Sequence, residues 1–599
     1  MSALRERPRQ LARVVRFVAP MLRAGPRGRV TTADLIERRA KQQPERVFVR
    51  FEDRSLSYGD YNAAANRVAH WALAHGLRHG DVVALVMENR PEYLVVWAGL
   101  AKIGVTCALV NTNLAGRGLA HALETAGAEV VILGAECVPA WASLSSEARS
   151  RVETFVSRDP AKGAVSRPPG AADFDEVTLG FSPHDPGRHV RAELRGGDDL
   201  FYIYTSGTTG LPKAARFSHA RFMGGGAHHL LSGFGRDDVL YCALPLYHTV
   251  GGVICVNAVL RAGATLALAR KFSASRFWKE IAETEATSFQ YVGELCRYLL
   301  NQPASSHERQ HRLRYCVGNG LRPELWPRFQ ERFAIPRIVE FYGATESNVV
   351  MMNLANKSGS VGKLAPGTKA RLIRYDVESE THVRDARGRC IEVGIGEPGE
   401  LIARIAEGSS LAGRFEGYTS AEASERKILR DVFEQGDAWF RTGDLLRRDG
   451  EGYFYFVDRI GDTFRWKGEN VSTEEVAQAM GAFPGVELCA VYGVEVPGGD
   501  GRAGMAAVVL ADPAGFDGKA LYEHVSQALP GYARPAFVRI QAEPDLTGTF
   551  KLRKVDLQRQ GFDPSASKDP IYFRDDVARA YAPLTAEAHA RIQSGEVRF

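Results

Sequence analysis

Tyr204-Thr205-Ser206-Gly207-Thr208-Thr209-Gly210-Leu211-Pro212-Lys213 gathers hydroxyls, glycines and a lysine into a single turn. Such a loop is suited to phosphate: glycine lets backbone N–H groups approach anionic oxygens, and hydroxyls and an ammonium add further donors. It is not a Walker A loop, because Leu211 and Pro212 separate Gly210 from Lys213. An ordinary turn would also account for the glycines and hydroxyls, though not for the lysine. Four further strings carry chemistry. Leu244-Pro245-Leu246-Tyr247-His248-Thr249-Val250-Gly251 sets an aromatic–histidine pair in apolar surroundings, where it can gate or orient an acyl group or simply complete a core. Gly318-Asn319-Gly320 would let a flat ligand approach the backbone, and alone it is a turn signal. Phe341-Tyr342-Gly343-Ala344-Thr345-Glu346-Ser347 offers a ring to stack on a base, a hydroxyl for phosphate and a carboxylate for Mg²⁺. Arg441-Thr442-Gly443-Asp444 offers a carboxylate to ribose hydroxyls, or an aspartate in a turn.

These strings need elements to hold them. Asp199 to Tyr204 reads as a short apolar strand, so the first loop leaves the end of a sheet. From Ser57 onward helical and strand patterns alternate: Tyr61 to Leu77, Asp81 to Met87, Glu92 to Ile103, Val105 to Val110, Ala128 to Leu133. This alternation predicts an α/β fold of parallel strands covered by helices. Residues 159 to 197, rich in Pro, Gly, Asp and Ser, read as a long surface connection. Past Gly394 short glycine-punctuated strands suggest a β-subdomain. Asp458-Arg459-Ile460-Gly461-Asp462 separates a strand from a further compact α+β unit, and Gly461 there can absorb a large backbone rotation. The expected division is a basic segment over 1–30, a large domain over 31–458 and a small mobile domain over 459–599, hinged at 458–462.

At 599 residues the chain exceeds one ordinary core. Its 45% hydrophobic and 25% charged residues are those of a globular protein, and a formal charge of +5 argues against dedication to nucleic acid. Basic residues crowd near the start, from Arg5 to Arg29, around Leu11, Val14, Val15, Val18 and Leu22. That stripe suits peripheral contact with an anionic membrane, or a frayed basic terminus. No stretch has the uninterrupted apolar length of a spanning helix, and the 8 cysteines are dispersed without metal-ligand spacing. A cytoplasmic protein, peripheral at most to a membrane's inner face, is expected; oligomeric state is not legible.

The motifs, in this order and spacing, resemble those of the adenylate-forming enzymes, and in particular the branch of very-long-chain acyl-CoA synthetases and fatty-acid transport proteins. Lys271 to Trp278, Gln290 to Leu300 and Asp458 to Val471 carry the branch resemblance, as does Thr547-Gly548-Thr549-Phe550-Lys551. Similarity runs from about Leu35 to about Tyr572. It implies a large adenylate-forming domain of parallel and mixed sheets with covering helices, a β-subdomain, and a mobile α+β domain. It implies that Tyr204, Thr205, Ser206, Gly207, Thr208, Thr209, Gly210 and Lys213 close over ATP phosphates, and that Gly318, Asn319, Gly320, Tyr342, Gly343, Ala344 and Thr345 contact AMP. Asp444 and Arg459 would grip the ribose, and Glu346 and Thr205 would attend Mg²⁺. Lys551 would reach the α-phosphate and acyl carboxylate, and His248 would orient the acyl group. Trp466, Gly468 and the loop from Gly498 to Gly504 would face CoA. The implied reaction joins fatty acid, ATP and CoA through an acyl-adenylate. Two alternatives stay open: an acyl-AMP ligase serving a carrier protein, and a membrane-associated fatty-acid binding or uptake protein.

Overall fold

The computed structural model describes residues 24–163, 166–206, 211–377, 379–406, 413–467, 469–499, 501–542, 544, 546 and 554–599. Two parallel-centred sheets organise the large part of the chain. The first orders its 7 strands as Ala172–Asp173, Glu153–Ser157, Val130–Gly134, Val82–Val86, Thr106–Leu109, Asp199–Ser206 and Pro212–Ser218. All of its neighbours run parallel except the last pair, an antiparallel hairpin. The second has 9 strands, with Val47–Phe51, Thr265–Leu268, Val239–Cys242, Ser288–Val292, Tyr315–Asn319 and Ile338–Tyr342 parallel in its middle and antiparallel strands at its edges. Strands such as Val82–Val86 are apolar at every position because helices cover both faces of a parallel sheet.

Local chemistry starts the covering helices. Thr31 and Asp34 form a reciprocal capping box ahead of Thr32–Gln42. Ser57 accepts from the Asp60 amide ahead of Tyr58–Ala74, and Pro91 opens Pro91–Ala101. Gly99 lets those last two helices touch, since a Cβ there would lie 2.6 Å from the Val68 Cβ. Against expectation, residues 159 to 197 are more than a connection. They contain the helix Phe174–Leu179, whose Phe174 packs edge-on against Trp71 at 5.1 Å; a six-residue helix is too short for its period to show among prolines and glycines.

A third, antiparallel sheet holds Ala370–Ile373, Gly399–Arg404, Ala438–Arg448, Ile428–Arg430 and Phe454–Arg459. Beyond it, a separate apolar core runs from Phe464 to Phe599 around the sheet Val486–Glu495, Arg502–Leu510, Phe537–Ile540, Ile571–Asp575 and Ala580–Pro583. Among the described residues no helix is long and apolar enough to cross a membrane.

Candidate active site

The hairpin Asp199–Ser206/Pro212–Ser218 pairs Thr205 with Lys213, so both flank the phosphate-type loop. Gly207, Thr208, Thr209 and Gly210 lie outside the described residues, as does Lys551. Tyr204 departs from its expected role: its buried hydroxyl donates to the Ala122 carbonyl at 2.6 Å, leaving only its backbone facing the loop. The outer edge of the hairpin receives another segment. Arg216 N–H donates to the Gly417 carbonyl at 3.0 Å and Thr419 N–H to that of Ala214 at 2.9 Å, fixing Tyr418 beside Ala215. Tyr418 stands within electrostatic reach of both Thr205 and Glu346: burial first, then the Glu346 charge, push its pKa far up, and Thr205 opposes the rise. Tyr418 thus stands beside both the base of the phosphate loop and the carboxylate expected at Mg²⁺.

Glu346 follows the strand Ile338–Tyr342, and its neighbour Thr345 shares a hydroxyl–hydroxyl bond of 2.8 Å with Thr249. Lys427 Nζ stands 4.0 Å from Glu346 Oε1 and donates to the Thr442 carbonyl at 3.4 Å. Gly343 and Ala344 are exposed on the same turn. The Tyr342 hydroxyl donates to Asp444 at 2.5 Å, and Arg459 Nε lies 3.7 Å from the other Asp444 oxygen. Burial raises the Asp444 pKa, with Arg459 and Tyr342 opposing. Arg441 to Asp444 is not the turn that its glycine suggested. It lies inside Ala438–Arg448, where the register to Gly399–Arg404 shifts and Gly443 takes φ 79°. Such a bulge re-aims a side chain out of the sheet. Glu400 holds it from beneath by accepting the Gly443 N–H at 3.1 Å. Burial opposes ionisation of Glu400, but His382 and Arg441 hold its pKa below the ordinary value.

Gly318-Asn319-Gly320 ends the strand Tyr315–Asn319, with Gly320 at φ 79°. A Cβ on Gly318 would lie 2.4 Å from the Tyr291 ring, so glycine is required there. Beneath the loop, the fully buried Glu340 accepts from Gly320 N–H at 3.1 Å, Leu321 N–H at 3.0 Å and the Tyr291 hydroxyl at 2.6 Å. Its pKa is pushed up to about 8 by burial, against those donors. Asn319 Oδ1 is buried with no hydrogen-bond partner among the described residues.

His248 sits where a strand's connection turns into a wide-bore helix. Asn89 accepts from Leu246 N–H at 2.8 Å and donates to the Leu244 carbonyl at 2.9 Å, clamping the segment before it. Thr249–Cys255 then forms a π-helix, a form concentrated at functional sites. Gly251 and Gly252 permit this, since Cβ atoms would lie 2.4 Å from the Pro245 carbonyl oxygen and 2.0 Å from that of Leu246. Burial lowers the His248 pKa to about 4, and its Nε2 has no partner among the described residues. It is therefore a neutral imidazole at physiological pH.

The structure brings Thr205, Glu346, Asp444, Arg459 and Tyr342 into one chain of contacts. Sequence reading missed the residues that join them: Tyr418, Lys427, Glu340 and Glu400. Gly417-Tyr418 beside a Ser/Thr-rich run was the one local signal; the carboxylates and Lys427 carried none. The expected CoA-facing residues divide differently. Trp466 is buried, with a Gly499 Cβ position 2.8 Å from its ring, and Arg502 to Gly504 belong to a strand. Gly468 and Asp500 lie outside the described residues. Arg322, just past the nucleotide loop, reaches the small unit: it bonds Glu474 at 3.1 Å and donates to the Ala477 carbonyl at 3.1 Å, on the helix Thr473–Gly481.

Residues 36–412 match the family of AMP-binding enzymes, and residues 475–551 match the AMP-binding enzyme C-terminal domain. The chain is 40% identical over 598 residues to long-chain fatty acid transport protein 6 of Mus musculus, covering 98% of this chain and 95% of that one. The chain belongs to the adenylate-forming AMP-binding enzymes, in the branch of the long-chain fatty acid transport proteins. This AMP-binding enzyme is also 40% identical to the medium/long-chain-fatty-acid–CoA ligase FadD6 of Mycobacterium tuberculosis, over 97% of this chain and 94% of the relative. In fold it resembles ATP-bound MatB from Rhodopseudomonas palustris, with a TM-score of 0.71 at 24% identity, over 88% of this chain and 99% of that one.

Proposed function

We propose that this AMP-binding enzyme is an ATP-dependent long-chain or very-long-chain fatty acyl-CoA synthetase. A fatty carboxylate attacks the α-phosphorus of ATP, its oxygen forming the acyl–phosphate bond as the bond to pyrophosphate breaks. The CoA thiol then adds to the acyl carbonyl carbon and AMP leaves. The observation that carries this reading is the contact chain Thr205–Tyr418–Glu346 beside Tyr342–Asp444–Arg459. It sets a phosphate loop next to a ribose-type carboxylate, in a chain whose ligase-named relative matches along 97% of its length.

In this reading Asp444 takes the ribose hydroxyls and Tyr342 stacks on adenine. The orphaned Asn319 Oδ1 accepts from the adenine amino group, which is the donor that this buried acceptor lacks. Mg²⁺ would be held by Glu346, with Thr205 beside it. Among the described residues no group of three or more His, Cys, Asp or Glu converges on one point. That donor set fits an ion carried mainly by nucleotide phosphates and one carboxylate. When bound, Mg²⁺ supplies positive charge to the polyphosphate. The neutral His248, at the head of a π-helix that carries buried Val253 and Ile254 and runs on into buried Val256 and Val259, orients the acyl carboxylate without adding charge. Lys551 brings a further cation for adenylation, and the small domain, hinged at 458–462, withdraws it before thiol attack. The basic segment over 1–30 supports peripheral membrane contact.

A pyrophosphate-release screen over fatty acids of graded chain length, with and without CoA, tests this. The expected outcome is carboxylate-dependent pyrophosphate release, with acyl-CoA and AMP formed only when CoA is present. Absence of release with every acid refutes the ligase reading; acyl transfer to a carrier protein but never to CoA refutes the synthetase.

A further inference from the structure

Lys427 lies in the Lys427-Ile428-Leu429-Arg430 stretch at the edge of the third sheet, where the Arg441 N–H donates to its carbonyl at 2.8 Å and turns it toward the Thr442-Gly443-Asp444 bulge. Its ammonium has one hydrogen-bond acceptor among the described residues, the Thr442 carbonyl at 3.4 Å. The approach to Glu346 at 4.0 Å is a charge contact rather than a hydrogen bond. An ammonium carries three donors, so two have no hydrogen-bond acceptor among the described residues, in a side chain 28% exposed whose remaining neighbour is the Phe440 ring, 5.7 Å away. The neighbours on either side define what those donors face. Toward one side is Glu346, the carboxylate read as the Mg²⁺ and polyphosphate end of the nucleotide. Toward the other is Asp444, the carboxylate read as the ribose end, whose ionisation Lys427 favours. A nucleoside triphosphate runs ribose, α-phosphate, β-phosphate, γ-phosphate. A cation standing between the ribose carboxylate and the metal carboxylate therefore stands at the α-phosphate.

We infer that Lys427 is a resident catalytic cation that donates to the α-phosphate in both half-reactions. This rests on the synthetase reading and adds a residue to it. In the second half-reaction the C–S bond forms at the acyl carbon, the bond from that carbon to the phosphate oxygen breaks, its electron pair stays on AMP, and the thiol proton passes to solvent. The phosphate gains a negative charge as AMP leaves. Lys427 sits on the large part of the chain, hydrogen-bonded through its carbonyl to the strand that carries Asp444, so it stays to meet that charge after the small domain has rotated Lys551 away.

Wild type, Lys427→Met and Lys427→Arg are compared in two assays: ATP–pyrophosphate exchange with oleate and Mg²⁺, and single-turnover release of AMP from preformed oleoyl-adenylate by CoA, without Mg²⁺. The Met variant is expected to fall about 10- to 100-fold in both, the loss of one charge-assisted hydrogen bond, with Arg restoring most of each rate and both variants melting as wild type does. If Lys427 acts only by holding Glu346, the Mg²⁺-free assay is unchanged, and the inference is overturned. A Met variant equal to wild type in both assays also overturns it. Wild type inert in both assays would instead refute the synthetase reading beneath it.

Discussion

Gly293 opens the helix Gly293–Asn301, which leaves the strand Ser288–Val292 beside the nucleotide loop. A Cβ there would lie 1.7 Å from the Gly320 carbonyl oxygen, 2.3 Å from its carbon and 3.0 Å from Leu321 N. Ordinary carbon–oxygen contact begins near ~3.3 Å, so Gly293→Ala forces a retreat of about 1.5 Å. The loop cannot yield freely, because Glu340 grips Gly320 N–H and Leu321 N–H from below at 3.1 and 3.0 Å. A displacement on the order of 1 Å at a reacting site costs about 10²-fold, so kcat/KM for ATP should drop roughly 100-fold, equivalent to about 2.7 kcal/mol. Stability should fall less than activity, because the helix preference of alanine over glycine, up to about 1 kcal/mol, offsets part of an overpacking strain of about 1–3 kcal/mol. The assay is pyrophosphate exchange against ATP concentration, with thermal melting alongside. Gly180→Ala is the control, since a Cβ at Gly180 meets nothing within 4 Å. A Gly293→Ala protein that melts normally and keeps wild-type kcat/KM for ATP would refute the placement of adenine against Gly318 to Gly320.

Tyr342→Phe removes the 2.5 Å donor to Asp444, and the KM for ATP should rise roughly 10-fold or more, as for a hydrogen bond to a charged group; a change under twofold argues against Asp444 as a ribose ligand. Lys551→Ala should lower adenylation by about 10²- to 10⁴-fold, and normal exchange in that variant refutes its role. Acid should destabilise the fold through buried neutral histidines. Burial lowers His219 and His228 to about 3, and His229 and His248 to about 4. Between pH 6.5 and 4 the unfolded chain therefore binds protons that the folded chain refuses. The histidine contribution is full above 6.5 and declines as pH falls. Glu340, raised to about 8, acts oppositely over part of that range and offsets one proton. The net slope is up to roughly 4 kcal/mol per pH unit near pH 5. A melting temperature flat from pH 7 to 5 refutes this.

The sequence by itself determined the chemistry on offer and most of the elements that offer it. Glycine–hydroxyl–lysine composition, apolar strands and the order of motifs all depend on short stretches of chain, so the loops around Thr205, Gly318, Thr345 and Asp444 were legible. Tertiary structure decided which side chains complete the site. Tyr418 reaches Thr205 and Glu346 only because its segment adds to the outer edge of a hairpin some 200 positions earlier in the chain, a separation seen in the Tyr418–Ala215 bridge. Glu340 looks like any strand residue until two amides of a neighbouring loop turn down onto it, and Arg441 to Asp444 looks like a turn until the register shift makes it a bulge. Lys427 had no local signature at all. Backbone propensity is a local property that residue order specifies directly, whereas hydrogen-bond partners and burial arise from contacts between distant segments, which only the folded chain supplies.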